Sequence, residues 1–374
     1  MERVLLLGYF GAGNFGDDAL LTAWLAAHQR FLQQRGVIAD VVSSGRDPLE
    51  GFVEGQTLAK LVGRYIPKRE ALSTPIADYH ALLAPGGSLL QDVTSLRSLL
   101  YYLEMSRRFA LGRKAVFLLN QGIGPLRSIT ARIVTPFELR GTRMLSFRDR
   151  DSFDWAQRQL PLHSHRELHL SADPLLAPVF EYSAEIENSE AYGGGYVLVI
   201  PKASSALGSP NALREAAQLA RLISAACKAT GARPLLLPLH ATQDEPFCHN
   251  IRDTLGEPVE VFGAAAAVHY RSSAIFTLIA KATMVISHRL HGLVCAAAYG
   301  VPAFGIAYDP KISAFCEEIG YSYCSPARVD SQAELQRLAQ LWEGRQRLIE
   351  QLYIRREYML VRRREAEERF YALW

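Results

Sequence analysis

The feature that constrains this chain most is the repeated alternation of short apolar runs with longer amphipathic segments. Amphipathic stretches such as Asp18–Arg35 and Ser95–Ala110 predict helices. Between such stretches, six apolar runs in the first half predict buried strands: Val4–Gly8, Ala39–Ser43, Ala81–Ala84, Ala115–Asn120, Met144–Arg148 and Leu168–Ser171. Strands that alternate with helices favour a parallel sheet with right-handed crossovers.

After Pro174 this pattern is interrupted and then starts again. Residues 174–195 are mixed and acidic and end in three glycines, which makes them the best linker candidate. Five more apolar runs predict strands: Tyr196–Ile200, Arg233–Leu237, Val259–Phe262, Thr283–Ser287 and Ala303–Tyr308. A chain of 374 residues also exceeds what one hydrophobic core usually serves. We therefore predict two doubly wound, Rossmann-like α/β domains, at residues 1–178 and 190–340, with a cleft between them.

The last segment, residues 341–374, predicts a long helix that packs back on the domains. Its apolar residues form a broken stripe at helical spacing: Leu348, Leu352, Met359, Ala366, Phe370 and Leu373. From Arg345 onward it carries eight Arg and five Glu. Two interpretations remain open. The favoured one is a solvated helix face, and the other is peripheral attraction to the anionic inner surface of the plasma membrane.

Composition excludes several classes of protein. A formal net charge of +3 does not suggest a nucleic-acid binder, which normally carries a strong basic excess. The five cysteines form no CxxC pair, so neither a zinc ribbon nor a disulfide scaffold is indicated. The chain has no run of 18 apolar residues, and its start does not resemble a signal peptide. The expectation is a cytoplasmic protein without a membrane span.

A glycine-rich turn follows the first predicted strand and opens a helix. The glycines that satisfy the pattern G-x-G-x-x-G are Gly11, Gly13 and Gly16. We reject a dinucleotide site because Asp17 and Asp18 lie at the helix start, where they would repel a pyrophosphate. The second strand also lacks the acidic residue expected after it. The turn is either a helix cap or, with Asn14 and Asp17, a site for a hydroxyl-bearing ligand.

Further motifs follow other predicted strands of the first half. The stretch Pro85–Asp92 contains consecutive glycines, including Gly87, which let a ligand approach the backbone closely. Gln121 opens a second glycine-containing stretch directly after a strand. Arg148 ends a strand, where it either pairs with a neighbouring aspartate (Asp149 or Asp151) or grips a carboxylate or phosphate in bidentate fashion.

The most specific motif lies in the second half, where Ser287-His288-Arg289-Leu290-His291 joins a strand to a helix. Arg289 and His291 fall at the first helical turn, where cations suit an anion. Lys311 follows the neighbouring strand. All these motifs follow carboxyl ends of strands, where open parallel sheets bind ligands. They imply a small, doubly anionic ligand and a polyhydroxyl one. No spacing typical of a metal site or of a nucleophile elbow occurs.

Taken in order, these motifs resemble the polysaccharide pyruvyl transferase family, and most closely its CsaB-type ketal pyruvyltransferases of bacterial cell walls. The motifs are GAGNFGDD, PGGSLLQD, QGIGP, SFRDRDS, SADP, HRLHGL and GIAYDPK, and the resemblance as a whole runs from residue 4 to about residue 320. The resemblance implies a GT-B-like fold with its site between two domains and no cofactor. It also implies phosphoenolpyruvate as donor and a lipid-linked cell-wall saccharide, often N-acetylmannosamine, as acceptor. The implied product is a 4,6-linked pyruvate ketal.

The resemblance also implies roles for individual residues. Arg148, Arg289 and Lys311 would bind phosphoenolpyruvate. His291 would act as acid and base, and Asp17 would orient or deprotonate the acceptor hydroxyl. The remaining candidates on the acceptor side are Asn14, Asp18, Gly87, Gln91 and Gln121. The sequence departs from the family pattern in two places: Ser88 replaces a common glycine, and residues 201–211 lack the usual basic character.

Two other functions remain as alternatives. A nucleotide-sugar-dependent GT-B glycosyltransferase would need an acidic residue for the ribose, for which Glu317 and Glu318 are candidates. A non-catalytic protein that binds polysaccharide or a lipid carrier is disfavoured, because it would not need the set of His291 and three cations named above.

Overall fold

The computed structural model describes residues 2–50, 52, 55–160, 166–177, 195–206, 208–256, 258–263 and 272–374. The chain divides into two compact units. The first comprises Met1–Ala12, Asp17–Pro174 and Met359–Trp374, and the second comprises Gly13–Gly16 and Leu175–Tyr358. Most of the predicted linker, residues 178–194, lies outside the described residues.

The first unit contains a parallel sheet in the order β3-β2-β1-β4-β6-β7-β8, with β5 paired to β6. Its strands are β1 (Glu2–Phe10), β2 (Val37–Ser43), β3 (Val62–Pro67), β4 (Ala81–Ala84), β5 (Gly87–Leu90), β6 (Ala115–Ile123), β7 (Met144–Phe147) and β8 (Glu167–Leu170). Its helices are α1 (Phe15–Arg35), α2 (Gly55–Leu58), α3 (Lys68–Ala71), α4 (Leu96–Leu111), α5 (Ile129–Glu138) and α6 (Arg150–Gln159).

The second unit contains a parallel sheet in the order β11-β10-β9-β12-β13-β14. Its strands are β9 (Tyr196–Ile200), β10 (Arg233–Leu236), β11 (Glu260–Val261), β12 (Met284–Ser287), β13 (Ala303–Ile306) and β14 (Ser322–Cys324). Its helices are α7 (Pro210–Thr230), α8 (Ala241–Leu255), α9 (Ser272–Lys281), α10 (Leu290–Ala298), α11 (Pro310–Ile319) and α12 (Gln332–Glu343). The predicted doubly wound α/β class is confirmed.

Burial on both faces explains why the strands appear in the sequence as continuous apolar runs. In β1, Leu5 and Leu7 belong to one hydrophobic cluster of the first unit, whereas Val4 and Leu6 belong to another. Successive side chains of a strand point to opposite faces, so each face of this sheet is covered by a core. The same arrangement leaves residues at or beyond the carboxyl ends of the buried runs in a position to reach a ligand.

The structure contains strands that the sequence did not predict. β3 carries Gly63 and Arg64, and Arg64 donates to the buried carboxylate of Asp40 across the β2–β3 pair at 3.0 Å. β14 has only three residues. Polar edge strands and very short strands lack the apolar run on which the prediction depended.

The C-terminal helix, α13 (Arg345–Leu373), begins later than the predicted residue 341, because Gly344 separates it from α12. Its arginines are engaged: Arg355 donates to the carbonyls of Glu317 and Glu318, and Arg362 donates to that of Ser171. Leu352, Met359, Ala366 and Phe370 are buried. Four residues of the predicted stripe are therefore buried, and the choice between the two interpretations of the charged face stays a prediction. None of the helices in the described part of the chain is long and apolar enough to cross a membrane.

Candidate functional site

The second unit gathers its polar side chains where four adjacent strands end. The strands β10, β9, β12 and β13 are neighbours in the sheet, and each is followed at its carboxyl end by charged or imidazole side chains. Ser287 shapes the turn after β12: its Oγ accepts from the Arg289 N–H at 2.9 Å and donates to the Arg289 carbonyl at 2.8 Å. This turn places Arg289 at the start of α10.

Arg289 is held by an aspartate that the sequence did not reveal. Its Nε donates to Oδ2 of Asp244 at 3.0 Å, and its Nη2 donates to Oδ1. Asp244 lies in the first turn of α8 and is fully buried, and its carboxylate also accepts from the backbone N–H of His240 at 3.0 Å. The bidentate pair orients the guanidinium and neutralises much of its charge.

A lysine and a tyrosine lie beside this pair. Lys202, which follows β9, donates to the hydroxyl of Tyr308 at 3.0 Å, and its ammonium lies 4.3 Å from the centre of the tyrosine ring. Burial lowers the pKa of Lys202, and the positive charge of Arg289 lowers it further, while Asp244 and Asp309 oppose this shift. Lys202 therefore lies close enough to Arg289 for the charge of the guanidinium to affect its protonation.

The adjacent His288 is buried and neutral. Burial lowers the pKa of His288 to about 3, with smaller contributions from Arg289 and Lys202 in the same direction. Its backbone N–H donates to the carbonyl of Ile200 at 2.9 Å, which ties the end of β12 to the end of β9. His288 is therefore a neutral imidazole at physiological pH and adds no positive charge here.

Lys311 follows β13, as predicted. Its Nζ lies 3.5 Å from Oδ2 of Asp309, and one third of the lysine side chain is exposed. Asp309 also caps α11 by accepting from the backbone N–H of Lys311 at 3.1 Å. Lys311 and Arg289 both shift the pKa of Tyr308 downward against the larger upward effect of burial. Lys311 and Arg289 therefore both act electrostatically on Tyr308.

His291 lies in the first turn of α10 and packs against the glycine-rich turn. A Cβ built on Gly16 would lie 1.8 Å from Nδ1 of His291, so the imidazole occupies the space that a side chain would need. Residues Gly13–Gly16 of this turn belong to the second unit, and their backbone contacts lie within it: Phe15 N–H donates to the carbonyl of Leu239 at 3.1 Å, and Asn14 forms an antiparallel bridge with His240. The structure thus brings His291 against Gly16, and Asn14 beside His240.

In the first unit, Arg148 is buried in an ion pair. Its Nη1 donates to Oδ2 of Asp173 and its Nη2 donates to Oγ of Ser88, both at 2.8 Å. The predicted pairing with Asp149 or Asp151 is not formed, because Asp149 instead caps α6. Ser88, which replaces a glycine of the family pattern, thus supplies a contact that glycine could not.

The two acidic residues of the glycine-rich turn differ in their environments. Burial, together with the charge of Asp17, raises the pKa of Asp18 to about 8, and its Oδ1 accepts from the Gly11 N–H at 2.7 Å. Asp18 is therefore largely protonated at neutral pH. Asp17 is partly exposed, and its Oδ1 lies 3.7 Å from where a Cβ of Gly87 would be. Gly87 has φ +114°, a conformation that other residues rarely adopt.

Two predicted acceptor-side residues form hydrogen bonds within the first unit. Gln91 closes its own turn, because its Oε1 accepts from the backbone N–H of Val93 and Thr94 while its Nε2 donates to the Thr94 hydroxyl. Gln121 is fully buried and donates to the carbonyls of Ala84 and Leu119. The Gln121 side chain is turned inward, whereas Gln91 lies in a partly exposed turn, and a ligand contact of either residue stays a prediction.

A lysine surrounded by tyrosines lies at the carboxyl edge of the first sheet and was missed in the sequence. Lys68 follows β3, and its ammonium lies 4.9 Å from the ring centres of Tyr101 and Tyr102 and 5.6 Å from that of Tyr9. Burial lowers the pKa of Lys68. Burial also raises the pKa of Tyr102, and the charge of Asp17 adds to this shift. Lys68 and its tyrosines are therefore neighbours of Asp17.

A family model for polysaccharide pyruvyl transferases matches residues 14–310, which include the strand-end residues of both units except Lys311, one residue beyond the match. The chain belongs to the polysaccharide pyruvyl transferase family. It is therefore an enzyme of the pyruvyl transferase class, as predicted. A comparison with curated proteins finds no match.

Solved structures similar to this pyruvyl transferase family member have the GT-B fold. S. aureus MnaA bound to UDP has a TM-score of 0.62 at 9% identity, covering 94% of this chain and 90% of that one. UDP-GlcNAc 2-epimerase from Neisseria meningitidis, bound to UDP-GlcNAc, has a TM-score of 0.60 at 12% identity, covering 98% and 99%. A glycosyltransferase from Rickettsia africae has a TM-score of 0.58 at 9% identity, covering 99% and 97%. The predicted GT-B-like fold is confirmed.

The acidic candidates for a nucleotide ribose lie about 10 Å along a helix from the strand-end edge of this pyruvyl transferase. Glu317 and Glu318 are in the last turn of the ten-residue helix α11, whose first turn carries Lys311. At about 1.5 Å per residue, most of the helix length separates them from that edge. Tyr323 also donates its hydroxyl to Glu317. Their position does not favour ribose binding.

Sequence reasoning missed Lys202, Asp244 and Tyr308 as members of the second unit's cluster. A signal for Lys202 was present, since it lies two residues after a predicted strand, in the segment described as lacking basic character. Asp244 lies within a helix, where an aspartate has no special pattern. Within the ranges that the structure describes, no group of three or more His, Cys, Asp or Glu side chains could hold a metal ion.

Proposed function

We propose that this family member transfers the pyruvyl group of phosphoenolpyruvate to two hydroxyls of a saccharide, releasing phosphate and leaving a 4,6-linked ketal. The observation that carries this proposal is the set of three cations, Lys202, Arg289 and Lys311, at neighbouring strand ends of the second unit. Phosphoenolpyruvate carries a carboxylate and a phosphate within a few bonds. A small dianion of this kind needs several converging cations, of which Arg289 is already oriented by Asp244.

The chemistry proceeds in two balanced steps. In the first, a proton is delivered to C3 of phosphoenolpyruvate and a saccharide hydroxyl oxygen bonds to C2, while the hydroxyl proton passes to a base. In the second, another hydroxyl oxygen bonds to C2 as the C2–O bond to phosphate breaks, and its proton is also accepted by a base. Phosphate leaves with the bonding electrons, so no oxidant, reductant or metal ion is needed for the balance.

His291 is the residue that we assign to proton transfer, because an imidazole can donate and accept protons near neutral pH. Its position supports this assignment: it shares the first turn of α10 with Arg289 and packs on Gly16, the residue before Asp17. We assign Asp17 to orienting or deprotonating an acceptor hydroxyl. The neutral Asp18 holds the turn through Gly11 rather than meeting the ligand.

The acceptor side is proposed to include Tyr9, whose ring is 41% exposed beside Lys68. A tyrosine ring offers an apolar surface to a sugar ring and a hydroxyl to its polar rim. We propose a lipid-linked cell-wall saccharide, with N-acetylmannosamine as the first sugar to test. The proposal places the reaction in the cytoplasm, where phosphoenolpyruvate is made.

Arg148 is proposed to assist donor binding from the first unit. A guanidinium has five N–H donors, and the contacts with Asp173 and Ser88 each use one. The remaining N–H groups can donate to the carboxylate or phosphate of phosphoenolpyruvate while the pair with Asp173 stays intact. Asp173 would then orient Arg148 as Asp244 orients Arg289.

The test is incubation of the full chain with phosphoenolpyruvate and candidate lipid-linked saccharides, read by phosphate release and by mass spectrometry. We expect a mass gain equal to one pyruvyl ketal. His291→Gln should slow phosphate release by about 10²–10⁴-fold, the usual contribution of a general acid or base. His249→Gln, a histidine on α8, is the matched control and should retain full activity.

Near-normal turnover in His291→Gln would refute the assignment of proton transfer to this residue. The reaction itself would be refuted if calorimetry showed binding of nucleotide sugars and none of phosphoenolpyruvate. Tight binding of phosphoenolpyruvate without phosphate release, with every saccharide tried, would favour the non-catalytic alternative instead.

A further inference from the structure

Helix α5 of the first unit exposes three large apolar side chains in one row. Ile129, Ile133 and Phe137 are 73%, 66% and 59% exposed. Because they are four residues apart, they lie on the same face of the helix. A row of large apolar side chains on a surface helix marks an interaction site more often than chance exposure does.

This row is additional to the helix's packing in its own unit. The opposite face of α5 already buries Ala131 and Thr135, and Val134 packs against the core of the first unit. Ser128 is the N-cap of α5, because its hydroxyl accepts from the backbone N–H of Ala131. The exposed row is therefore not needed to hold α5 in place.

Arginines surround the row. From Arg127 to Arg143, both included, the sequence contains four Arg and a single Glu. The guanidinium of Arg140 lies 5.2 Å from the ring centre of Phe137. The nearby carboxylate of Asp92 accepts from the backbone N–H of Arg127 and Ser128, and it and Glu138 are outnumbered by the four arginines. The rim of the row is therefore positively charged.

The rim continues into a basic cavity of about 740 Å³ at the amino-terminal edge of the first sheet. Its cationic lining residues are Arg113, Lys114, Arg140, Arg143 and Arg166. Burial lowers the pKa of Arg166, and the charge of Arg140 adds to this effect. The one acidic lining residue, Glu167, is already paired with Arg369 and His169. The cavity therefore carries an excess of positive charge.

The cavity is distinct from the candidate active-site residues. Its residues Ala115 and Glu167 begin β6 and β8, whereas Arg148 and Asp173 follow the carboxyl ends of β7 and β8. In a parallel sheet these are opposite edges. Arg113 also adopts φ +57°, which is unusual for a residue other than glycine.

We propose that this face of the first unit docks on an anionic lipid bilayer. Ile129, Ile133 and Phe137 would enter the boundary between headgroups and acyl chains, and the basic cavity would hold lipid phosphates. Apolar side chains together with clustered arginines are the combination that binds such surfaces. A second copy of the chain is a poorer partner, because a two-fold contact would place each arginine rim against its own copy.

The experiment is vesicle flotation with the full-length chain. Vesicles of phosphatidylcholine mixed with phosphatidylglycerol are compared with vesicles of phosphatidylcholine alone. The triple variant Ile129→Ser/Ile133→Ser/Phe137→Ser should bind the mixed vesicles at least about tenfold more weakly. The double variant Arg113→Gln/Arg143→Gln should bind them about 25-fold more weakly, at about fivefold for each arginine.

The matched control is Tyr353→Ser/Ile354→Ser/Tyr358→Ser on the C-terminal helix, whose side chains are 61%, 67% and 62% exposed. This control should bind like the unmodified chain and so tests the C-terminal helix as the membrane contact. Unchanged melting temperatures show that each variant is folded.

Four outcomes would overturn the proposal. In the first two, the unmodified chain does not float with the mixed vesicles, or it floats equally with both vesicle types. In the third, the triple variant of α5 binds the mixed vesicles like the unmodified chain. In the fourth, only the control variant of the C-terminal helix loses binding. If the unmodified chain were a dimer without lipid and the triple variant of α5 were a monomer, the row would be assigned to contact with a second copy instead. None of these outcomes depends on the reaction catalysed, so the proposal can fail while the proposed function stands.

Discussion

The imidazole of His291 rests directly on the backbone of Gly16, so closely that a Cβ on Gly16 would lie 1.8 Å from Nδ1. One residue belongs to the glycine-rich turn after β1 and the other to the first turn of α10. The glycine of the turn is therefore required by a histidine almost three hundred residues away, and not by the phosphate of a dinucleotide. This packing explains the third glycine of a motif that resembles a dinucleotide fingerprint.

Gly16→Ala should displace His291 and slow phosphate release. A misplacement of about 1 Å can cost on the order of 10²-fold in rate, and the added methyl group requires a shift of at least this size. The measurement is phosphate release together with thermal melting. Gly36→Ala, where a Cβ meets no atom within 4 Å, is the control for the substitution itself, although its φ of +63° makes it mildly strained. Full activity in Gly16→Ala would show that the position of His291 does not matter.

Asp173→Asn should destabilise the first unit and weaken donor binding together. Arg148 and Asp173 side chains are only 5% and 3% exposed, so removing one charge leaves the other buried without its partner. Breaking such a pair costs about 3–5 kcal/mol. The measurements are the free energy of unfolding and the KM for phosphoenolpyruvate. The matched surface control is Glu104→Gln, which breaks an exposed pair with Arg107 and should change stability by less than about 1 kcal/mol.

An unchanged KM in Arg148→Ala, in a variant that stays folded, would restrict Arg148 to a structural role. A raised KM with unchanged stability in Asp173→Asn would instead show that the aspartate acts only by orienting the guanidinium.

Asp244→Asn should shift the alkaline limit of donor binding to lower pH. Asp244 raises the pKa of Lys202 against the stronger downward effects of burial and Arg289. Without this carboxylate the pKa of Lys202 falls further, so the ammonium loses its proton at lower pH. The measurement is the affinity for phosphoenolpyruvate by calorimetry from neutral to alkaline pH. A parallel loss of affinity at all pH values would show that only the orientation of Arg289 matters.

Lys68→Met and Tyr9→Ser should raise the KM for the saccharide and leave that for phosphoenolpyruvate unchanged. Methionine keeps most of the length of Lys68 and removes its charge, and serine removes the exposed ring of Tyr9. The measurement is the pair of KM values in the phosphate-release assay. Tyr353→Ser, an exposed tyrosine on the C-terminal helix, is the matched control. A raised KM for phosphoenolpyruvate alone would assign Lys68 and Tyr9 to the phosphoenolpyruvate site instead.

Asp18→Asn should make the protein more stable at alkaline pH. Burial raises the pKa of Asp18 from 3.8 to about 8, so the folded chain binds a proton that the unfolded chain releases between these values. The contribution of Asp18 is therefore fully present below about pH 4 and is lost as the pH rises to 8, with a slope of at most about 1.4 kcal/mol per pH unit. Asparagine keeps the acceptor for Gly11 and removes this dependence. Chemical denaturation across this range is the measurement, and parallel curves for both proteins would contradict the prediction.

The sequence was sufficient for the fold because parallel strands are buried on both faces. Runs such as Val4–Gly8 and Tyr196–Ile200 are apolar without alternation, and each corresponds to a strand in the structure. β3 escaped prediction because an edge strand can carry Arg64. Burial of the strands on both faces also explains why the motifs after the strands indicated the ligand-binding edge. Only residues at or beyond the end of a buried run can contact a ligand at that edge.

The sequence did not reveal which residues contact those motif residues. Arg148, Arg289 and His291 were visible as motif members, but nothing in their spacing indicated Asp173, Asp244 or Gly16 as the residues that they touch. The inward turn of Gln121 and the tyrosines around Lys68 were equally hidden.

By itself, then, the sequence determined the α/β class, the strand-end position of the candidate site and the family. Those properties follow from local patterns of apolarity and from motifs that are contiguous in the chain. Only the tertiary structure decided which cations are held by a buried carboxylate, which acid is kept protonated and which apolar side chains are left exposed on α5. These depend on burial and on pairing between distant segments, because the pKa of a group and the strength of an ion pair are set by the surroundings that folding creates.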